Sequence, residues 1–134
     1  MAARHVLFVC THNAGRSQMA AALLAHLGGP SFVVDSAGTA PADALNPAVV
    51  AAMLEVGIDL RDNEPTLLTP EALHEADLVI TLGVDSAELP GSHYIDWDFP
   101  DPAGSRLETV RPIRDAIKAR VLALIGELNS PAAA

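Results

Sequence analysis

The chain is short of several things at once. Its 134 residues include one cysteine, one tryptophan and one tyrosine, and 8 lysines and arginines stand against 17 acids. One cysteine leaves no partner for an internal disulfide, and a lone reactive thiol belongs in a reducing compartment, so a cytoplasmic protein is expected. A formal charge of −9 and a pI near 4.7 speak against nucleic acid or an anionic membrane as partner. No apolar run approaches the roughly 18 residues that cross a bilayer. The stretch from Met1 to Cys10, MAARHVLFVC, meets polar residues too early for a secretory signal. His5, His26, His74 and His93 lie scattered, without the spacing of metal ligands, and no metal site is expected.

What the chain does have is apolar bulk. Half of its residues are hydrophobic, and a chain of this length buries roughly 65–70% of its unfolded surface in one domain. Residues 1–129 read as that domain and residues 130–134, a Pro-Ala tail, as disordered. Strands are expected at Val6 to Val9, Phe32 to Asp35, Leu78 to Leu82 and His93 to Trp97. Helices are expected at Gln18 to Leu27, stopped by Gly28 and Gly29, from Asn46 and Pro47 to near Gly57, from Thr69 and Pro70 to about His74, and from about Ser105 to Leu128. In the last of these Val110, Ile113, Ile117, Val121, Leu124 and Leu128 recur at helical spacing. Leu78 to Leu82 is continuously apolar, the mark of a strand covered on both faces. Strands alternating with helices predict a three-layer α/β fold, a four-stranded parallel sheet flanked by helices.

The lone cysteine closes the first strand, in VLFVCTHNAGRS, and Arg16 follows six residues later at the start of a helix. A loop at the carboxyl edge of a sheet and the N-terminus of a helix gathers unpaired N–H groups, and the helix dipole adds positive charge. Successive amides from Thr11, His12, Asn13, Ala14, Gly15, Arg16 and Ser17 can therefore form a nest for a tetrahedral anion. Asn13 tolerates a left-handed backbone and can brace the loop. Gly15 supplies freedom for the curl into the helix, and Arg16 adds a planar fork for two oxygens. Ser17 can donate its hydroxyl to the sulfur. Such surroundings favour the ionised thiol, so Cys10 reads as a nucleophile aimed at the central atom of a bound anion. His12 reads as presenting its backbone N–H with its ring outward. Against all this stands the plain alternative that a lone buried cysteine is a small core hydrophobe.

VLFVCTHNAGRSQMA resembles the phosphate-loop signature of the low-molecular-weight protein tyrosine phosphatase superfamily, and AGRSQMA is most similar to its arsenate reductase branch. DSAGT at Asp35 to Thr39, NPAVVAAMLEVGIDL from Asn46, DLVITL from Asp77 and DFPDPAG at Asp98 to Gly104 extend the resemblance over nearly the whole chain. It implies that Asp101 is the general acid, with Asp96 and Asp98 as turn or solvated acids beside it. Pro102 holds Asp101 toward extended geometry. Tyr94 and Trp97 are expected to pack, and Ser36 to Thr39 to form a turn against the loop. Tyrosine phosphatases of this family commonly carry an aromatic wall after the Asp-Pro pair; here Ala103 and Gly104 follow, leaving a smaller, more open mouth suited to a bare inorganic oxyanion, of which arsenate, unlike phosphate, is readily reduced by thiols.

Thioredoxin-coupled members carry two further cysteines after the third strand, where this chain has TLGVDSAELPG, with Gly83 and Leu89 near those places. The internal relay is missing, so an external low-molecular-weight thiol must supply the second sulfur. Resemblance to single-cysteine members points to mycothiol with a mycoredoxin, then to glutathione with a glutaredoxin. No bound cofactor is implied. Some relatives place an acid at the position of Ala21 beside a monovalent cation, an ion not assumed here. Two other readings remain at this stage: a phosphatase acting on phosphotyrosine or a small phosphomonoester, and a non-enzymatic sensor of oxyanions or oxidation.

Overall fold

The computed structural model describes residues 3–90 and 94–129. Its elements run β1 (Arg4–Cys10), α1 (Arg16–Gly28), β2 (Phe32–Gly38), α2 (Pro47–Glu55), α3 (Pro70–Glu75), β3 (Leu78–Leu82), β4 (Tyr94–Trp97) and α4 (Leu107–Asn129). The four strands form one parallel sheet in the order β2-β1-β3-β4. The expected tail and His93, the expected first residue of β4, lie outside the described residues.

Alternation along β1 decides what covers each face. Val6, Phe8 and Cys10 join the large core with Met19, Leu23 and Leu24 of α1, Met53 of α2 and Val110, Ile117 and Val121 of α4. Leu7 and Val9 point the other way, into a smaller cluster with Ala37, Val79 and α3 residues Ala72 and Leu73. β1 is therefore apolar at every position from Val6 to Cys10 because both its faces are covered. Tyr94 packs into the small cluster and Trp97 into the large one, where its indole meets Phe8 at 5.7 Å and Phe99 at 6.1 Å between ring centroids and lies under the Arg120 guanidinium.

Two expectations need correction. Ser36, Ala37 and Gly38 do not turn; they continue β2, paired with Phe8, Val9 and Cys10. Small residues make this possible, since a Cβ on Gly38 would stand 2.6 Å from the Thr11 carbonyl oxygen. Asp96, expected as a turn or solvated acid, is exposed but is not in a turn. It lies in β4 and accepts hydrogen bonds from the Thr81 hydroxyl and, at 2.9 Å, from that of Ser86, contacts that hold its carboxyl below the usual range, the Thr81 bond first.

The strand order places β2 and β3 on opposite sides of β1, so the crossover direction changes at the carboxyl end of β1. Ligands of open parallel sheets bind at such a crevice. Cys10 is the last residue of that strand.

Candidate active site

The cysteine stands where the sequence puts it, buried, with its Sγ facing the first turn of α1. Ser17 Oγ lies 2.8 Å from the sulfur and the Asn13 N–H donates to it at 3.2 Å. Neighbours fix the orientation of Asn13. The Thr66 N–H, which can only donate, binds Asn13 Oδ1 at 2.9 Å, so Nδ2 is the end of Asn13 that faces Ser17, donating to its oxygen at 2.6 Å. Either partner of the Ser17–Cys10 pair can donate while the sulfur carries its proton; an attacking sulfur without one can only accept, from the Ser17 hydroxyl and the Asn13 N–H. Gln18 completes the brace, its Nε2 donating to the backbone oxygen and Oδ1 of Asn13. Asn13 and Ser17 are wholly buried.

Every carbonyl from Cys10 to Gly15 is turned away from the loop's hollow and bound elsewhere. Thr39, Ala40, Ala42 and Asn46 donate their N–H groups to the oxygens of Cys10, Thr11, His12 and Ala14, at 3.2, 2.8, 3.0 and 3.0 Å. Gln18 holds that of Asn13 and the Met19 N–H that of Gly15. The amides of His12, Ala14, Gly15 and Arg16 have no protein acceptor among the described residues. Donors that a segment leaves free at a helix N-terminus are the groups an anion takes.

Glycine serves here in a way sequence reasoning did not see. The left-handed residue is Asn13, at φ 51°, whereas Gly15 has φ −144°. Gly15 is needed for space: a Cβ there would stand 2.8 Å from Pro102 Cγ. The Asp101-Pro102 pair is thereby seated directly on the loop. Arg16 is similarly accommodated by Gly83, just beyond β3, whose Cβ would meet Nη1 at 2.2 Å. The Arg16 guanidinium donates to the Phe99 carbonyl at 3.1 Å and lies 3.6 Å from Asp101 Oδ2, while Asp101 Oδ1 accepts from the Ala103 N–H at 3.0 Å.

Cys10, His12, Ala14, Gly15, Arg16, Asn46, Asp101 and Ala103 line a cavity of about 50 Å³. A wider, shallower groove continues from it past Ala42, Leu45 and Ser105. All three residues expected to do chemistry therefore meet at one small opening, and His12 is exposed at its rim. Asp98 is exposed, outside the lining. Asn46, read from the sequence only as a helix cap, is the lining residue that reading missed; its Asn-Pro signal was absorbed by the capping role. Among the described residues no cluster of His, Cys, Asp or Glu is arranged to hold a metal, and no helix is long and apolar enough to cross a membrane.

A cysteine-bearing loop of this form, at the switch point of a parallel four-stranded sheet, agrees with the family comparison: residues 5–133 match the model for low molecular weight phosphotyrosine protein phosphatases. The chain belongs to that family. Within it the chain falls in the arsenate reductase branch. An arsenate reductase of Staphylococcus epidermidis is 37% identical over 121 residues, 87% of this chain and 92% of that protein. The solved structure of an arsenate reductase in the phosphate-binding state is 33% identical, with a TM-score of 0.83, over 92% of this chain and 98% of that one. The thioredoxin-dependent arsenate reductase of Corynebacterium glutamicum is 36% identical with a TM-score of 0.78; the match covers 95% of this chain but 62% of that longer one.

Proposed function

We propose that the protein is an arsenate reductase acting as an arsenate-thiol transferase, in which Cys10 is the nucleophile, the free amides of His12, Ala14, Gly15 and Arg16 with the Arg16 side chain hold the oxyanion, and Asp101 is the general acid; the Asn13 amide, expected in the nest, is bound to the sulfur instead. One observation carries the reading: Cys10, hydrogen-bonded through its sulfur to Ser17 and the Asn13 N–H, lines one small cavity with Arg16 and Asp101, yet the sequence holds no second cysteine with which to pair it.

The steps follow from that geometry. Arsenate docks on the free loop amides and the Arg16 fork. The Cys10 thiolate attacks arsenic; a sulfur–arsenic bond forms, an arsenic–oxygen bond breaks, and the departing hydroxide takes a proton from Asp101 to leave as water. Arsenic is still pentavalent. An external thiol then attacks arsenic, passing its proton back to Asp101, and Cys10 departs as thiolate. In the released adduct a redoxin thiol attacks the external sulfur, forming a mixed disulfide, and the sulfur–arsenic bonding pair stays on arsenic as arsenite. The groove running on from the cavity gives the external thiol its approach. Mycothiol with a mycoredoxin is the first choice and glutathione with a glutaredoxin the second; the neighbour described as thioredoxin-dependent makes thioredoxin the third arm of the test. A phosphatase is the second reading, since the nest is shaped for any tetrahedral oxyanion.

Arsenate turnover by the purified protein, measured with each of the three thiol systems, decides among these. Turnover is expected with a low-molecular-weight thiol and its redoxin. Activity with thioredoxin alone would overturn the external-thiol account, and aryl phosphate hydrolysis far faster than any arsenate turnover would favour the phosphatase. Cys10→Ser is expected to abolish turnover, and Arg16→Ala to lose about a hundred-fold or more with weakened oxyanion binding; normal activity in either variant contradicts the assignment.

A further inference from the structure

Asn46 touches three pieces of the active site with three different atoms. Its N–H donates to the Ala14 carbonyl of the oxyanion loop at 3.0 Å, its Oδ1 accepts from the Ala48 N–H at 2.9 Å as the cap of α2, and its Nδ2 donates to the Pro102 carbonyl at 2.9 Å. We propose that Asn46 is a positioning residue for the reaction, the clamp that holds the Asp101 segment closed over the loop.

The segment from Phe99 to Ala103 is joined to the loop by few contacts. Pro102 rests on Gly15, and Arg16 Nη1 donates to the Phe99 carbonyl. The Arg16 bond is not dependable during the reaction, because an oxyanion in the cavity competes for the same guanidinium N–H groups. The packing of Pro102 is apolar and lets the segment slide. The bond from Asn46 to Pro102 is directional, sits next to the acid in sequence, and uses no group that the substrate needs. Its donor is in turn fixed to the loop through the Ala14 bond and to the body through the cap, so that carboxyl, loop amides and helix start share one anchor. Asp101 is half exposed and, among the described residues, bound otherwise only by the Ala103 N–H and its long contact with Arg16; its place in the lining of the cavity therefore depends on where Pro102 is held.

The inference rests on the role of Asp101 proposed above, and one variant separates it from simple structural support. Asn46→Ser keeps the N–H bond to Ala14 and a cap acceptor for α2 but is too short to reach the Pro102 carbonyl. Expected is faster amide hydrogen exchange between residues 99 and 105, with protection of Cys10 from iodoacetate by inorganic phosphate within about two-fold of the unmutated protein. Arsenate turnover should fall about ten-fold to a hundred-fold when Asp101 is present, by the usual cost of misplacing a proton donor, but by less than about two-fold when added to Asp101→Asn. Unchanged exchange in that segment, or equal losses with and without Asp101, would overturn the clamp. Should the unmutated protein show no arsenate turnover, the functional reading fails by itself, and the exchange measurement, with the same cycle run on aryl phosphate hydrolysis, still decides for or against Asn46.

Discussion

Ser17 is held against the sulfur by Asn13, which donates to its oxygen, and Asn13 is oriented by a backbone donor 53 residues away at Thr66. This chain of fixed donors makes a testable claim about one proton. With Ser17→Ala the sulfur keeps only the Asn13 N–H, and a hydrogen bond to a charged group contributes about 1.5–3 kcal/mol. Arsenate turnover by Ser17→Ala should fall by about ten-fold, the sulfur having lost a donor that steadies it as it attacks arsenic and as it departs. An unchanged rate would show the hydroxyl pointing elsewhere. At this scale the sequence was informative wherever a residue's own chemistry settles its use: Cys10, Arg16 and Ser17 could be picked out by type and spacing, and Asp101 by the family resemblance of its Asp-Pro motif. It was mute where the reason is a neighbour distant in sequence. Gly15 faces Pro102 and Gly83 faces Arg16, and nothing local announces either contact.

Among the elements, α2 matters most for the site, since its cap is Asn46, and α2 is held against α4 by ions at its far end. Glu55, the last residue of α2, binds Arg111 at 2.6 Å and Arg114 at 2.7 Å, while Arg114 also donates to the Ala52 carbonyl at 2.8 Å. Hydrogen bonds from Arg111 first, then Arg114, hold the Glu55 carboxyl down at about 2, against an ordinary 4.5. A depressed carboxyl contributes its full stabilisation above the unfolded value, and the contribution is lost as pH falls from about 4.5 through about 2. Glu55→Gln is therefore expected to lower the melting temperature at pH 7 and to converge with the unmutated protein toward pH 2; thermal melts across that range check it, and a gap that persists in acid would refute the linkage. The elements themselves were largely legible, because apolar runs, capping residues and stops are local signals. The ends of β2 were not. Its last three residues are small and weakly patterned, and they are strand only because β1 and the loop lie alongside them.

Taken whole, the molecule sets a short-range attraction against a long-range repulsion. The chain carries a formal −9, while the anion site offers neutral amides and one guanidinium. Salt screens distant charges far more than close ones, the Debye length shrinking from about 30 Å at 0.01 M to about 8 Å at 0.15 M. Raising ionic strength with a salt whose anion does not enter the nest should therefore lower the KM for arsenate or leave it unchanged, the reverse of what a basic, substrate-steering protein shows. A KM that climbs steeply with salt would mean that charges other than Arg16 guide the substrate in. The outward-bound carbonyls of the loop carry one last consequence. A mould cast before its guest arrives accepts every guest of that shape, so arsenate and phosphate must be welcomed almost alike. Discrimination then falls to chemistry after docking, to which central atom exchanges an oxygen for sulfur and afterwards accepts an electron pair, and abundant phosphate would act as a standing competitor at the door.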